Sequence, residues 1–469
     1  MTPDPRDVRI AELEAQLAAR DAQLAAALER IAALEESVRK SSKNSSKPPS
    51  SDGPAKKPVR RPKPSGKKPG GQPGHKGWKR ELVPAEKVDH HHDCIPNECS
   101  NCAALLEGSD PEPLLHQVFH LPEIKPIVEQ YALHELGCGA CGTRTRATLP
   151  VGVPTRSFGP SVVATIAVLM GAYRLSKRAV QVLLADLFGL SISLGAVVGN
   201  QKVASKALAV PVAEAQQHVA EAPAKHADET SWRDGTGRVW LWTAVTPFVT
   251  VFQIHATRSA AAAKALLGQA KGVLISDRYS GYHWWPLWAR QVCWSHLVRD
   301  FTAIAERGGE SKRIGDALLK ESKQLFLWWN RVRDGTLSRE SFRKYVSPLR
   351  KRVEALLAEG SATKHSKKTS RTCAKIRRVG CALWYFVDQD GIEPTNNPAE
   401  RAVRHGVLWR KSSLGTKSIA GSEFVGRVLT VQATLRQQRR NVLAFVRAAC
   451  EAQLHGTTPP SLLPHTDAP

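Results

Sequence analysis

The sequence predicts a multidomain protein, mainly α plus α/β, and three observations carry that expectation. A heptad repeat occupies the first forty residues, two C-x2-C pairs lie between Cys99 and Cys141, and a strand-rich central stretch is flanked on both sides by amphipathic helical patterns. At 469 residues the chain has the length of about three domains. Its formal net charge of +24 and pI near 9.9 point to a polyanionic partner, either nucleic acid or an anionic membrane surface. The membrane reading finds little support. The longest apolar run, SVVATIAVLMGAY from Ser161, is too short to span a bilayer, and the N-terminus has no apolar core after its first charges. A cytoplasmic protein is expected.

Residues 1–39 are predicted to form a coiled coil. Ile10, Leu17, Leu24, Ile31 and Val38 recur every seventh residue, with Leu13, Ala27 and Leu34 between them and Arg20 breaking the pattern once. Such a stripe ahead of a polar linker favours self-association into a homo-oligomer over an amphipathic helix packed on its own chain. Residues 40–85 form that linker. Rich in Pro, Gly and Ser, with almost no apolar side chains, it cannot bury enough surface to offset its chain entropy. Between Lys40 and Arg80 thirteen Lys or Arg face one acid, Asp52, which is half of the chain's net charge. Lys56, Lys57, Arg60, Arg61, Lys67 and Lys68 are the candidate DNA contacts, since each phosphate neutralised releases a counterion without much sequence preference. A solvated spacer is the alternative.

Residues 86–152 carry five of the nine cysteines, a distribution unlike a disulfide framework. Cys99 with Cys102 and Cys138 with Cys141 make two knuckles thirty-five residues apart, able to offer four thiolates to one structural zinc in a zinc-ribbon-like module. Cys94, His90, His91, His92 and His134 are nearby substitutes. A redox pair is disfavoured because nothing thioredoxin-like surrounds either knuckle. The remaining Cys293, Cys373, Cys381 and Cys450 fall in what read as core segments.

Residues 153–220 read as helical. In RLSKRAVQVLLADLFGLSISLGAVVGNQKVASKAL a helix, a turn at Gly189 and a second helix capped by Ser191 or Ser193 fit a helix-turn-helix DNA-binding unit or an ordinary core pair. Residues 221–301 read as the first part of an α/β core. AKHADETSW ends a short extended piece at Asp228, RVWLWTAVTP and VTVFQIHATR read as strands, SAAAAKALLGQA as a helix, KGVLISDRYSGYHWW as a buried strand ending at Asp277, and RQVCWSHL as a short strand running into a helix. That order is the order of a ribonuclease H-like core. There, acids on the first and fourth strands lie side by side and a later helix delivers a third.

Residues 302–392 read as a helical insertion, with a basic stretch from Arg343 to Arg378 as a second candidate DNA surface. Residues 393–455 read as the second part of the core, and residues 456–469 as a tail. The segment TNNPAERAVR, from Thr395 to Arg404, supplies the third acid. Asn397 reads as a cap, Pro398 as the first helical position and Glu400 as a capping carboxylate. Alone, Glu400 is only that. Together, Asp228, Asp277 and Glu400 are three acids whose mutual repulsion requires divalent cations, and two Mg²⁺ or Mn²⁺ held by oxygen ligands suit phosphodiester cleavage and strand transfer.

The combination NSSKPPSSDG, GGQPGHKG, the two C-x2-C knuckles, DETSW, SDRYSGY, CWSHLVRDF and TNNPAERAVR resembles transposases of the insertion-sequence-66 family, in that family's order and over nearly the whole chain. The resemblance implies a DDE transposase, with Asp228, Asp277 and Glu400 as metal-binding catalytic residues. It implies hydrolysis at a transposon end, attack of the freed 3′-OH on target DNA, inverted-repeat DNA as partner, help from small proteins of the same element, and a nucleoid-associated location. His296 reads either as a ligand of the scissile phosphate or as a core histidine; Arg401 and Arg404 read as phosphate grips. After Cys102 the chain has two alanines where the family pattern has a glycine, which bears on the local turn. A catalytically silent DNA-binding regulator and a ribonuclease H-like nuclease without strand transfer are the alternatives.

Overall fold

The heptad pattern becomes a single helix, α1 (Pro5–Arg39), in which Ile10, Leu17, Leu24 and Ile31 are all more than half exposed. The structure, a computed structural model, describes residues 5–40, 45–46, 74–75, 77 and 80–464. The candidate DNA contacts Lys56, Lys57, Arg60, Arg61, Lys67 and Lys68 lie outside the described residues. Two units are distinguished, one of residues 1–56 with 127–469 and one of residues 57–126. In the smaller unit a 3₁₀ turn covers Ala85–Lys87, Gln117 exchanges two hydrogen bonds with the Val83 backbone, and the Arg80 guanidinium lies 4.2 Å above the Phe119 ring.

The larger unit continues with a short hairpin, β1 (Glu135–Gly137) and β2 (Arg144–Arg146), and then four helices: α2 (Pro160–Gly171), α3 (Lys177–Phe188), α4 (Leu194–Ala207) and α5 (Ala209–Glu221). Gly189 ends α3 in the left-handed region at φ 62°, where glycine pays no Cβ penalty. Ser193 rather than Ser191 caps α4, its hydroxyl accepting from the Ala196 N–H.

Five strands follow in mixed order. β3 (Ala224–Asp234), β4 (Gly237–Val245) and β5 (Thr250–His255) form an antiparallel meander, α6 (Ala260–Leu267) crosses over, and β6 (Val273–Ser276) and β7 (Arg290–Val292) run parallel to β3. Across the sheet the order is β5-β4-β3-β6-β7. The first strand corrects the sequence reading, which ended the extended piece at Asp228. It runs on to Asp234, paired with β4 through Asp234↔Gly237. Its inward positions include Lys225 and Glu229, so the usual apolar alternation is masked by buried polar residues.

Both sheet edges are covered. Beyond β7 come α7 (Trp294–Ala305), the insertion helices α8 (Gly309–Arg333), α9 (Arg339–Ala362) and α10 (Lys367–Arg377), and the short α11 (Tyr385–Asp388). The returning chain is pinned to β7: Gln291 donates to the Leu383 carbonyl and accepts from the Phe386 N–H, and Trp294 Nε1 donates to the same carbonyl at 2.7 Å. At the other edge α12 (Asn397–Ser413) is followed by α13 (Ile419–Gln437) and α14 (Val442–His455). Thr430 and Thr434 on α13 accept from the Phe252 and Thr250 N–H groups of β5, which quenches an edge that would otherwise be open. Phe301, Ile314, Leu318, Phe342 and Phe386 of α7 and the insertion share one apolar cluster with Val273, Ile275 and Val292 of β6 and β7, while α2 to α6, α13 and α14 share a second with residues of β3, β4 and β5. Cys293, Cys373 and Cys450 are buried as read from sequence, whereas Cys381 is exposed. No described helix is long and apolar enough to cross a membrane.

Helices α7 and α8 approach closely at Gly315, where an added Cβ would lie 2.4 Å from the Ala305 nitrogen. Alanine gains about 1 kcal/mol of helix propensity over glycine, but crowding a backbone atom that cannot rotate away costs roughly 1–3 kcal/mol. Gly315→Ala is therefore expected to lower stability by up to about 2 kcal/mol, read from denaturant unfolding followed by circular dichroism. An unchanged or raised midpoint would show that the two helices have room to part.

Candidate active site

Parallel pairing between β3 and β6 places two acids together. His226 is level with Ile275, so two residues further along, on the same face, Asp228 is level with Asp277. Asp228 Oδ1 accepts from the Glu229 N–H at 2.9 Å, and Asp277 Oδ1 accepts from the Tyr279 N–H at 2.9 Å, a turn that ends the strand with its carboxylate held at the tip.

Helix α12 is clasped to the same face by Asn396. Its Nδ2 donates to the Ala227 carbonyl at 2.8 Å and its Oδ1 lies 3.2 Å from His226 Nδ1. Burial pushes the His226 pKa down to about 4, with the Arg401 charge adding to that, so the ring is neutral. This corrects the expected start of the helix. The cap position belongs to Asn396, whose side chain is committed to β3 instead of capping, and Pro398 is the second helical residue. Glu400 Oε1 is likewise turned away from the helix N–H groups. It lies 3.5 Å from His296 Nδ1 and 3.9 Å from Cys293 Sγ.

Electrostatics tie the three acids together. Asp228 is held well above the usual carboxylate range, first by burial and then by Glu229, Asp277 and Glu400. Among the described residues, though, the ligand atoms that all lie within 4.8 Å of one another belong to Cys293, His296 and Glu400. Asp228 and Asp277 thus share a neighbourhood with Glu400 without closing one tight shell around it. Burial and the neighbouring Arg299 hold His296 below its ordinary pKa, and burial pushes the Cys293 thiol up to about 11. Arg401 faces the His226 side of the site. Arg404 acts instead on His405, in a basic cluster with Arg174 and Arg436.

Several residues of the site were not singled out from sequence. Glu229 follows Asp228 but points to the other face, where Arg258 donates to it at 2.8 and 2.5 Å and the Tyr282 hydroxyl donates at 2.5 Å. The Arg258 guanidinium also stacks 3.8 Å above the Tyr279 ring. Arg290 is fully buried and donates to Ser276 Oγ and the Asp277 carbonyl, bracing the end of β6. Alternation along β3 was the available signal for Glu229; nothing local marks its partners. Beside Asp277 opens a cleft of about 490 Å³, lined by Arg278, His296, Arg299, Asp300 and Lys375. Lys375 comes from the basic insertion helix α10 and Arg278 pairs with Asp300, so Arg299 and Lys375 are the cations of the lining that face Asp277 without that pairing.

The cysteine knuckles share one turn. Cys99 N–H donates to Ala104 O and Ala103 N–H to Cys99 O; Cys138 N–H donates to Thr143 O and Gly142 N–H to Cys138 O. Ala103 adopts φ 53° where its counterpart Gly142 has φ 71°. The missing glycine therefore leaves the turn intact but strained. Hydrogen bonds lower the Cys99 and Cys141 thiol pKa values, from the Asn101 backbone and from Thr143 respectively, which suits metal-binding thiolates. Cys99 and Cys102 belong to the smaller unit and Cys138 and Cys141 to the larger.

Comparison with known proteins places residues 156–424 in a match to the model of the family described as "Transposase IS66 family". Residues 1–81 match a "Family of unknown function (DUF6444)". No curated protein matches the chain.

Two outcomes are expected from these environments. An acid whose folded pKa is raised binds more protons folded than unfolded between the two pKa values, so stability falls as pH rises through that window and stays lower above it. Without divalent cations, Asp228→Asn should stabilise the protein at pH 7 by about 1–2 kcal/mol, roughly 2–6 °C in Tm, with the gain vanishing below about pH 4. A variant no more stable than the parent at pH 7 would show that Asp228 is not under strain. Ala103→Gly should relieve the left-handed turn by about 0.5–1 kcal/mol. Amide exchange around Cys102 would then slow by roughly two- to fivefold; faster exchange would contradict the strain.

Proposed function

Because the chain belongs to the transposase IS66 family, matched over more than half of its length, we propose that it cuts transposon-end DNA and joins the freed 3′-OH to target DNA, with Asp228, Asp277 and Glu400 as the catalytic acids. The observation that carries this reading is the in-register pairing of β3 with β6, which sets Asp228 beside Asp277 while Glu400 acts on Asp228 from α12. The strand order, a three-stranded antiparallel meander with its first strand central and two parallel strands added beside it, supports a ribonuclease H-like core.

The donor set fits divalent cations. Three carboxylates, two of which add to the raised proton affinity of the buried Asp228, offer only oxygen, the chemistry of Mg²⁺ or Mn²⁺. Asp228, Asp277 and Glu400 would hold two such cations, which would supply charge neutralisation and Lewis acidity for the attacking and leaving oxygens. The protein's residues do the rest. Asp277 is locked by the Tyr279 N–H and braced through Arg290, and Asn396 fixes where α12 begins. His296, neutral near pH 7, faces the cleft beside Asp277 and can hydrogen-bond the scissile phosphate. Arg401, Arg278, Arg299 and Lys375 supply charge for the flanking phosphates, with Arg404 further along α12.

The remaining modules are assigned roles in the same reading. Each of the two knuckles, Cys99 with Cys102 and Cys138 with Cys141, offers a thiolate pair to structural Zn²⁺, α1 joins copies of the chain, and the basic linker carrying Lys56, Lys57, Arg60, Arg61, Lys67 and Lys68 contacts DNA. Small accessory proteins of the same element are further candidate partners.

A cleavage and strand-transfer assay with Mg²⁺, comparing transposon-end DNA with generic duplex, tests the proposal. Asp228→Asn, Asp277→Asn and Glu400→Gln should each lower both steps by at least about a thousandfold, some 4 kcal/mol of transition-state stabilisation, while DNA binding persists. Equal cutting of both DNAs with no joined product would favour a nuclease, and full activity in any of the three variants would remove that acid from the mechanism.

A further inference from the structure

Glu400 faces two ligand sets. Towards β3 and β6 are the carboxylates that raise the charge of the site; towards α7 are Cys293 Sγ at 3.9 Å and His296 Nδ1 at 3.5 Å from the same Glu400 oxygen. These three ligand atoms all lie within 4.8 Å of one another. A tetrahedral zinc with bonds of about 2.0–2.3 Å spaces its ligands about 3.3–3.8 Å apart, so the cluster needs little movement to close on one ion. Thiolate, imidazole and carboxylate together select Zn²⁺ over Mg²⁺.

Cys293 occupies the cap position of α7, its carbonyl accepting from the His296 and Leu297 N–H groups and its sulfur accepting from the Asn396 N–H at 3.1 Å. His296 Nδ1 is buried and finds no hydrogen-bond partner among the described residues. A buried nitrogen left without a partner is costly unless it serves a ligand.

We propose that Cys293, His296 and Glu400 form a second metal mode of this centre, a zinc site that engages the Glu400 carboxylate where it stands, withholds it from cations shared with Asp228 and Asp277, and so inhibits the reaction supported by Mg²⁺. Zinc binding releases the Cys293 proton to solvent as the Zn–S bond forms. The inhibition rests on the DNA-joining reading; the binding does not.

Cobalt is the probe for binding. The full-length protein should take up one further equivalent of Co²⁺ than Cys293→Ser or Cys293→Ala, with a correspondingly stronger thiolate-to-cobalt charge-transfer band, the cysteine knuckles contributing equally to all three. Circular dichroism identifies which variant keeps the native fold, serine being near-isosteric and alanine donor-free. In the second arm Zn²⁺ is titrated into Mg²⁺-supported cleavage, each protein being referred to its own uninhibited rate. The half-inhibiting zinc concentration should rise at least about tenfold in the Cys293 variants. Equal cobalt uptake and band intensity in parent and variants, or equal zinc sensitivity, would overturn the proposal. If no cation supports DNA cleavage by the parent, the functional reading fails, and the cobalt equivalents still decide the site.

Discussion

Asp228 and Glu229 are neighbours in sequence on a buried strand, and the pleat must turn them to opposite faces. Much of the catalytic unit is arranged around that constraint. Glu229 receives Arg258 and Tyr282, so its charge is compensated within the fold. Asp228 is buried among other acids, Glu229, Asp277 and Glu400, and its carboxyl is driven up first by that burial and then by their charge. One strand thus carries a structural acid and a reactive one, a residue apart. The fold answers the first with hydrogen bonds and leaves the second to be answered from outside.

Delivery of the third acid is the costlier problem, because Glu400 is over a hundred residues from Asp277. The insertion between them packs into one apolar cluster with β6, β7 and α7 and returns along the β7 edge, tied by Gln291 and Trp294 to Leu383 and Phe386. Asn396 then fastens α12 to β3, one helical turn before Glu400. These contacts convert a long excursion into a defined position. They also put Cys293 and His296, at the start of α7, against the acid that α12 brings in, so the wall of the site facing the insertion is chemically softer than the wall facing the sheet.

Much of this was legible in the sequence because it rests on local rules. The heptad stripe, the helix following Gly189, the buried VLIS strand ending at an acid and the helix beginning near Asn397 are all set by neighbours within a few residues. Other features escaped. The strand through Asp228 looked finished because Lys225 and Glu229 are polar, and their compensating partners lie far along the chain. The bond from Asn396 to Ala227 spans the whole insertion, so Asn397 looked like the cap when its neighbour held that place. Arg290 carries no local mark at all, and Cys293 none beyond its apolar setting; their partners give them their roles, and those partners are decided by tertiary packing.

The threonines of α13 carry a consequence beyond the site. By accepting from the Thr250 and Phe252 N–H groups they complete β5 as another strand would, although they belong to a helix. A fragment ended after α12 would retain every candidate catalytic acid and yet present a bare strand edge, a template on which copies could zip together into fibrils or insoluble aggregates. The smallest soluble piece of this chain is therefore set by where its hydrogen bonds close, some distance beyond the last residue that chemistry needs.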